Sequence, residues 1–400
     1  MNERAAFVND APLRLKSRGR TILGCLILLA ALVGLSHAPR LLEDTYARGV
    51  QFQIARALSV MTGGVPASLA EIALAAVGLY LLVPFFIAAS QVLRRRRSAR
   101  NATASGALRV STAAMVVVSV FYLSWGLDYA RAPLAARVGW PPIDRRIDAI
   151  EYERQTGEIA ALAEQLVLAT NDSYREFAKS DDLGRPSGRA DVSRALDVEL
   201  DAAYPLIQTQ LGLEPEFAVA RGPAKPLYAS LLLNHLQLSG FYFPWTGEAN
   251  YNRLMPAPSL PHSVAHEKAH QRGIAREDEA NFIGYLVCAV SDDAYVRYSG
   301  ELFAQNQMLR ELAGRDAART RELIRLRTRG VARDVEYIRA FWRQYDGPAA
   351  RVSESVNDRY LKSQGVRSGI ASYAASQSLI VLFARHNGGS AIATRPIARR

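Results

Sequence analysis

Two histidines four residues apart, with a glutamate directly after the first, are the side chains here most able to do chemistry: His266, Glu267 and His270 in "HEKAH". On a helix that spacing puts both imidazoles on one face, a turn apart. A single tetrahedral ion about 2 Å from each nitrogen requires such a pair. Zinc is the cofactor predicted. Glu267 leans toward the same ion without binding it, where it can take a proton from activated water. Pro261 suits the helix's first turn and Gly273 its C-terminal cap. Three of the six histidines fall between His262 and His270, which argues against a chance match. The bland alternative is a polar helix that only carries the pattern.

Catalytic zinc needs a third protein ligand. Gly273 lets the chain turn back, and "REDEAN" follows at once. Glu277, at the start of a second helix, is the expected ligand, with Glu279 its rival. Phe282, Ile283, Leu286 and Val287 of that helix should pack beneath. Asn281, one turn on from Glu277, would share its face and support a ligand by hydrogen bonding. His262 reads as a helix-start or substrate-side residue, not a ligand.

The elements that must position these residues lie in a chain of two textures. Three apolar runs precede residue 130: Thr21 to Ala38, Ile72 to Ser90 and Val110 to Leu127. Each is long enough to span a bilayer as a helix. The first has a rival reading as a signal peptide, since "SHA" resembles a cleavage site. Arginines crowd ahead of the first run and again, as Arg94 to Arg97, between the second and third. The segment between the first and second runs balances its arginines with acids. By the positive-inside rule residues 1–20 are cytoplasmic, and everything after the third run lies outside. The expectation is a multi-pass protein of a bacterial inner membrane, with a membrane region at 21–130 and a periplasmic domain at 131–385. Much of the net charge of +11 sits in the two cytoplasmic segments, where topology and anionic lipid account for it. The bilayer is thus the expected partner, and nucleic acid is not. Cys25 and Cys288, the only two cysteines, offer no plausible disulfide.

The outer domain reads as mainly α-helical. Helical periodicity runs from Ile147 to about Phe177, a loop covers Lys179 to Asp191, and a second helix follows through "VSRALDVELDAAYPLIQTQLG". "FYFPWTGEANYN", Phe241 to Asn252, suits a short strand pair. "MLRELAGRDAARTRELIRLRTR" and "DVEYIRAFWRQY" are amphipathic, their charged faces assigned to solvent. Residues 369–384 read as a packed terminal helix in preference to a fourth crossing. Residues 386–400 read as a disordered basic tail.

Most of the chain resembles an uncharacterised family of bacterial membrane proteins, domain-of-unknown-function family 3810, placed among the zincin-like metallopeptidases by its HExxH. The blocks "GFYFPWTGEANYN" and "PHSVAHEKAHQRGIAREDEANFIGY" carry the likeness, with "YLKSQGVRSGIASY" near the end. Glu277, Ala280 and Asn281 also look like the glutamate-bearing helix of gluzincins, with Asn281 where those usually carry Asp. Metzincins would place a histidine where this chain has Arg276. The resemblance implies a membrane-anchored zinc peptidase acting on peptides or proteins by metal-activated water. It implies a fixed strand beside the metal, with Tyr242, Trp245 or Asn250 lining a substrate cleft, while Phe241 and Phe243 belong to the core. It offers Tyr373 as a hydrogen-bond donor to the tetrahedral intermediate. The competing expectation is a non-catalytic binding or assembly protein with a structural or relic zinc site. A membrane sensor ranks lower, because the cytoplasmic segments leave no room for a signalling domain.

Overall fold

The computed structural model describes residues 3–94, 98–143, 148–178 and 193–394. Three of the four arginines of the run Arg94 to Arg97, the loop at 179–191 and the last six residues of the expected tail lie outside those. The described chain is mainly helical with one small sheet. It forms two compact units, Met1–Gln51 with Leu69–Arg131, and Phe52–Ser68 with Ala132–Arg400.

In the first unit, three helices are long and apolar enough to cross a membrane: Ser17–Ser36, Leu69–Leu93 and Ala99–Ser124. Their side chains point outward, with Leu79, Phe85 and Phe86 each more than 60% exposed. Such a surface suits lipid and not water. The third helix differs from the expected Val110 to Leu127 at both ends. It begins at Ala99, where the Ser98 hydroxyl caps it by accepting the Asn101 N–H at 3.3 Å. It ends at Ser124, ahead of a tight 3₁₀ turn over Gly126–Ala130. Within this unit Leu32, Leu42, Tyr46, Ala47 and Leu127 form a small core. Arg131 grips Glu43 through two hydrogen bonds of 3.0 and 2.6 Å.

The second unit begins with a segment that lies between the first and second apolar runs, inside the expected membrane region. The helix Phe52–Gly63 and the turn to Ser68 belong to it. Its main body is layered around the buried helix Glu277–Ala289, whose Phe282, Ile283, Leu286 and Val287 are fully buried. The helix Ala149–Ala178 buries Ile159, Leu162, Ala163, Leu166, Val167, Thr170 and Tyr174, a stripe of helical period. That stripe lies against the long helix Ala294–Ala313. The helix Ser193–Leu211 adds Leu200, Tyr204 and Ile207 to the same core.

The sheet has three strands, β1 (Lys225–Leu227), β2 (Gly240–Phe243) and β3 (Glu248–Asn252), in the order β1-β3-β2. β2 and β3 are the expected hairpin, antiparallel with Phe241 opposite Asn250. β1 runs parallel to β3 and was not foreseen. The buried Lys225 ammonium locks it there by pairing with Glu248 and donating to the Thr62 carbonyl at 2.9 Å.

Two C-terminal features bear on earlier expectations. Helix Ser376–His386 buries Leu379 to Ala384 inside the second unit, as a packed terminal helix does. The disordered tail requires correction over 387–394. Ala391 and Ala393 are buried, and the Ala391 carbonyl accepts the hydroxyl of buried Tyr285 at 2.5 Å. A buried phenol needs such a partner, and the chain end supplies it.

Candidate metal centre

His266 and His270 sit on the helix Leu260–His270, which has Pro261 in its first turn. It stops at Gly273, whose φ of +82° lies in the left-handed region glycine favours. There the Ile274 N–H reaches back to the Ala269 carbonyl at 3.3 Å. Three residues later the helix Glu277–Ala289 begins, bringing Glu277 to the histidines. Gly284 permits the close crossing of the two helices, since a Cβ there would lie 3.1 Å from the His266 amide nitrogen.

The geometry suits a small cation. His266 Nε2 and His270 Nε2 are 3.1 Å apart, and Glu277 Oε2 lies 3.2 Å from the first and 3.5 Å from the second. Donors about 2.0–2.1 Å from a tetrahedral ion stand about 3.3–3.4 Å from one another. The tautomers fit as well. His270 Nδ1 lies 2.6 Å from the Ile274 carbonyl, so it carries the proton and leaves the Nε2 lone pair facing inward. Three converging lone pairs repel unless a cation or proton lies among them. Glu267 also offers an oxygen within 4.8 Å of both histidine nitrogens. Glu267 Oε2 is buried with no hydrogen-bond partner, as are Glu277 Oε2 and Nδ1 of His266.

Electrostatics separates the two carboxyls. Burial pushes Glu267 up to about 7, against the pull of the two histidines. Burial acts on Glu277 as well, but the adjacent histidines hold it far below the usual carboxylate range. His270 is raised to about 9; burial opposes its charge, and the Glu277 carboxylate prevails. Glu279, the rival ligand, points elsewhere. Its Oε1 accepts the Leu134 N–H at 2.7 Å, and burial lifts it to about 7. His262 stacks on Phe303 at 3.8 Å and meets the Asn281 carbonyl through Nε2 at 3.1 Å. Burial keeps its ring neutral, its pKa lowered to about 3.

Tyr373 lies in a 3₁₀ turn, Gly369–Ala374. Burial and the Glu277 carboxylate raise its phenol well above its ordinary range, so it stays a donor. Asn357 Nδ2 donates to its oxygen at 3.2 Å. Asn281 departs from the expected role. Its Nδ2 donates to the Tyr373 carbonyl at 3.2 Å, so it anchors the tyrosine and not a histidine.

β2 passes beside the same cluster. A Cβ on Gly240 would come within 2.9 Å of Glu267 Oε1, and the Tyr242 N–H hydrogen-bonds the Glu267 carboxylate. Tyr242 therefore meets the site through its backbone. The expected cleft needs correction at Asn250. Asn250 is fully buried and accepts the Ser68 hydroxyl at 2.7 Å, tying the sheet to the Phe52–Ser68 segment. Trp245 sits in the hairpin turn with its ring 4.9 Å from Phe243. Phe241 and Phe243, expected in the core, are half-buried.

Beside the histidine–glutamate cluster lies instead a cavity of about 330 Å³ that reaches His266, Asn281 and Tyr373. Its far wall comes from the helix Ala294–Ala313, through Phe303, Asn306, Gln307 and Arg310. The amphipathic stretch read from the sequence starts at Met308, so of these wall residues it takes in Arg310 alone. Lys268 was missed too. Inside the motif itself, it is fully buried against Asp197 at 3.0 Å and Asp201 at 3.1 Å. A lysine and an arginine four apart, Lys268 and Arg272, were the available signal for an acidic partner helix.

Fold and cluster together define a class: a mainly helical protein with three bilayer-length apolar helices, whose second unit buries two histidines against a glutamate. The particular family follows from comparison. Residues 46–381 match the family described as a protein of unknown function (DUF3810), and the chain belongs to that family. No curated protein and no solved structure matches it.

Proposed function

We propose that the second unit is an extracytoplasmic, zincin-like metallopeptidase domain, held at a bacterial inner membrane by the three apolar helices. The carrying observation is the convergence of His266 Nε2, His270 Nε2 and Glu277 Oε2 at 3.1–3.5 Å, beside a buried Glu267 oxygen that no protein group satisfies.

His266, His270 and Glu277 would hold the zinc, which supplies Lewis acidity to polarise a scissile carbonyl and acidify water. Glu267 takes the proton from the attacking water and passes it to the leaving amine. Burial favours the proton on Glu267, which is the direction a group that takes a proton and then delivers it requires. Tyr373, kept protonated, donates a hydrogen bond where negative charge develops on the carbonyl oxygen. Asn281 and Gln307 both donate to the Tyr373 carbonyl and so hold the tyrosine in position. β2, an edge strand of the sheet beside Glu267, offers backbone along which an extended peptide can align. A structural zinc would give Glu267 no task, which is why catalysis is preferred over a binding or assembly role.

Elemental analysis of the purified full chain tests this first. One zinc per chain is expected, lost in His270→Ala, weakened in Glu277→Ala and kept in Glu279→Ala. Glu267→Gln should retain zinc yet lose roughly 10²- to 10⁴-fold in peptide hydrolysis. A folded wild type that takes up no zinc when supplied would end the metallopeptidase reading.

A further inference from the structure

Arg310 stands at the cavity beside the metal ligands, and no Asp or Glu is among the residues lining it. Arg310 is exposed, and among the described residues it makes one hydrogen bond, a long one of 3.4 Å to Gln307 Oε1, and pairs with no carboxylate. The neighbouring Asn306 is oriented from behind. Its Oδ1 accepts Arg327 Nη2 at 2.7 Å, which leaves its amide N–H₂ as the group to donate. Gln307 links this wall to the chemistry, because its Nε2 donates to the Tyr373 carbonyl at 3.2 Å. The cavity therefore offers one permanent cation, an oriented amide donor and a route to the metal-site tyrosine, with no anion of its own.

We propose that this cavity is a substrate subsite for a carboxylate, bound by Arg310 with Asn306, so that the enzyme cleaves peptides bearing a carboxylate beside the scissile bond. Guanidinium presents paired N–H donors that match a carboxylate in both charge and shape. The cavity size, about 330 Å³, lies at the lower end of small-ligand pockets and suits one residue of a chain. The carboxylate has two possible sources, an Asp or Glu side chain and a free C-terminus. The specificity rests on the metallopeptidase reading above, but the binding of carboxylate does not.

The test uses the full zinc-loaded chain in detergent and a matched set of quenched-fluorescent peptides. One is neutral, with Gln residues and an amidated end. A second group carries Glu at each position in turn, and a third member has a free C-terminus. Wild type should favour one carboxylate arm over the neutral peptide by roughly 10- to 100-fold in kcat/KM. Which arm wins identifies the source. Arg310→Gln should bring that ratio to within about twofold, and Arg310→Lys should restore part of it. Cleavage with no carboxylate preference, or with a preference that survives Arg310→Gln, overturns the subsite and leaves the peptidase intact. The same peptides are also titrated by fluorescence anisotropy against the Glu267→Gln protein, with and without Arg310→Gln. If nothing is cleaved, the peptidase reading fails alone. Carboxylate-selective binding that needs Arg310 would still uphold the subsite, and indifferent binding would refute it.

Discussion

Glu301 shares with Glu267 and Glu279 a pKa pushed up to about 7 by burial, but it lies away from the metal ligands, and its Oε2 has no hydrogen-bond partner. The native state holds this proton more tightly than the unfolded chain, whose carboxyl titrates near 4.5. Its cost to stability is therefore absent below about 4.5, grows as pH rises, and is complete above about 7. Glu301→Gln should raise the melting temperature by a few degrees at pH 8 and change it little at pH 4.5. Thermal unfolding of both proteins at the two pH values checks this, and equal shifts at both would contradict it. The meeting of His266 and His270 was legible at this scale because four-residue spacing on a helix is a local property. Glu277 and Glu279 differ by two positions, which on a helix is more than half a turn, so only one of them can face the histidines. Asn281 shows where that logic stops. Its face was readable, but its partner Tyr373 lies 92 residues away.

Among the elements, the histidine helix is clamped from both sides. One face meets the glutamate helix at Gly284, and the opposite face sinks Lys268 and Arg272 against Asp197 and Asp201 of the helix Ser193–Leu211. Tyr204 of that helix also donates to the Ala265 carbonyl at 2.7 Å, and the Arg272 guanidinium lies 3.6 Å above its ring. Asp197→Ala takes from the fully buried Lys268 ammonium one of its two carboxylates, leaving Asp201 at 3.1 Å, and takes from the Ala224 N–H its acceptor, which costs about 1.5–3 kcal/mol. A fall in melting temperature is expected; Lys268→Met in the same background should recover part of it by removing the incompletely paired charge. The hairpin was readable from its aromatic and Gly content, whereas β1 was not. A three-residue strand has no period to detect, and a parallel pairing to β3 depends on a buried ion pair between residues far apart in sequence. The cavity wall was hidden for a related reason: amphipathicity reports that a helix has a polar face, not whether that face meets water or a cleft.

For the whole molecule, charge and hydropathy carry the proposed topology. The positive-inside argument places the turn at Ser98 in the cytoplasm and the exposed domain on the other side. Single cysteines introduced at Ser98 and at Val352, which is 63% exposed on the helix Pro348–Ser363, give a direct measurement. An impermeant maleimide applied to intact spheroplasts should label the second and spare the first. Labelling in the reverse pattern would place the metal cluster in the cytoplasm. The three long apolar helices were readable because a length and composition fit for lipid is a uniform demand on a whole segment. The allegiance of residues 52–68 was not, since a short amphipathic helix looks alike whether it is a connector or part of a domain.

That allegiance sets the order in which this protein can be completed. Residues 52–68 leave the ribosome ahead of two apolar helices, yet Ser59, Thr62 and Ser68 find their partners at Gly222, Lys225 and Asn250. Early in translation the segment has nothing to fold onto. Its partners lie more than 150 residues further along the chain. The sheet is therefore completed by residues made long after the strap it closes on, with both apolar helices already synthesised between them.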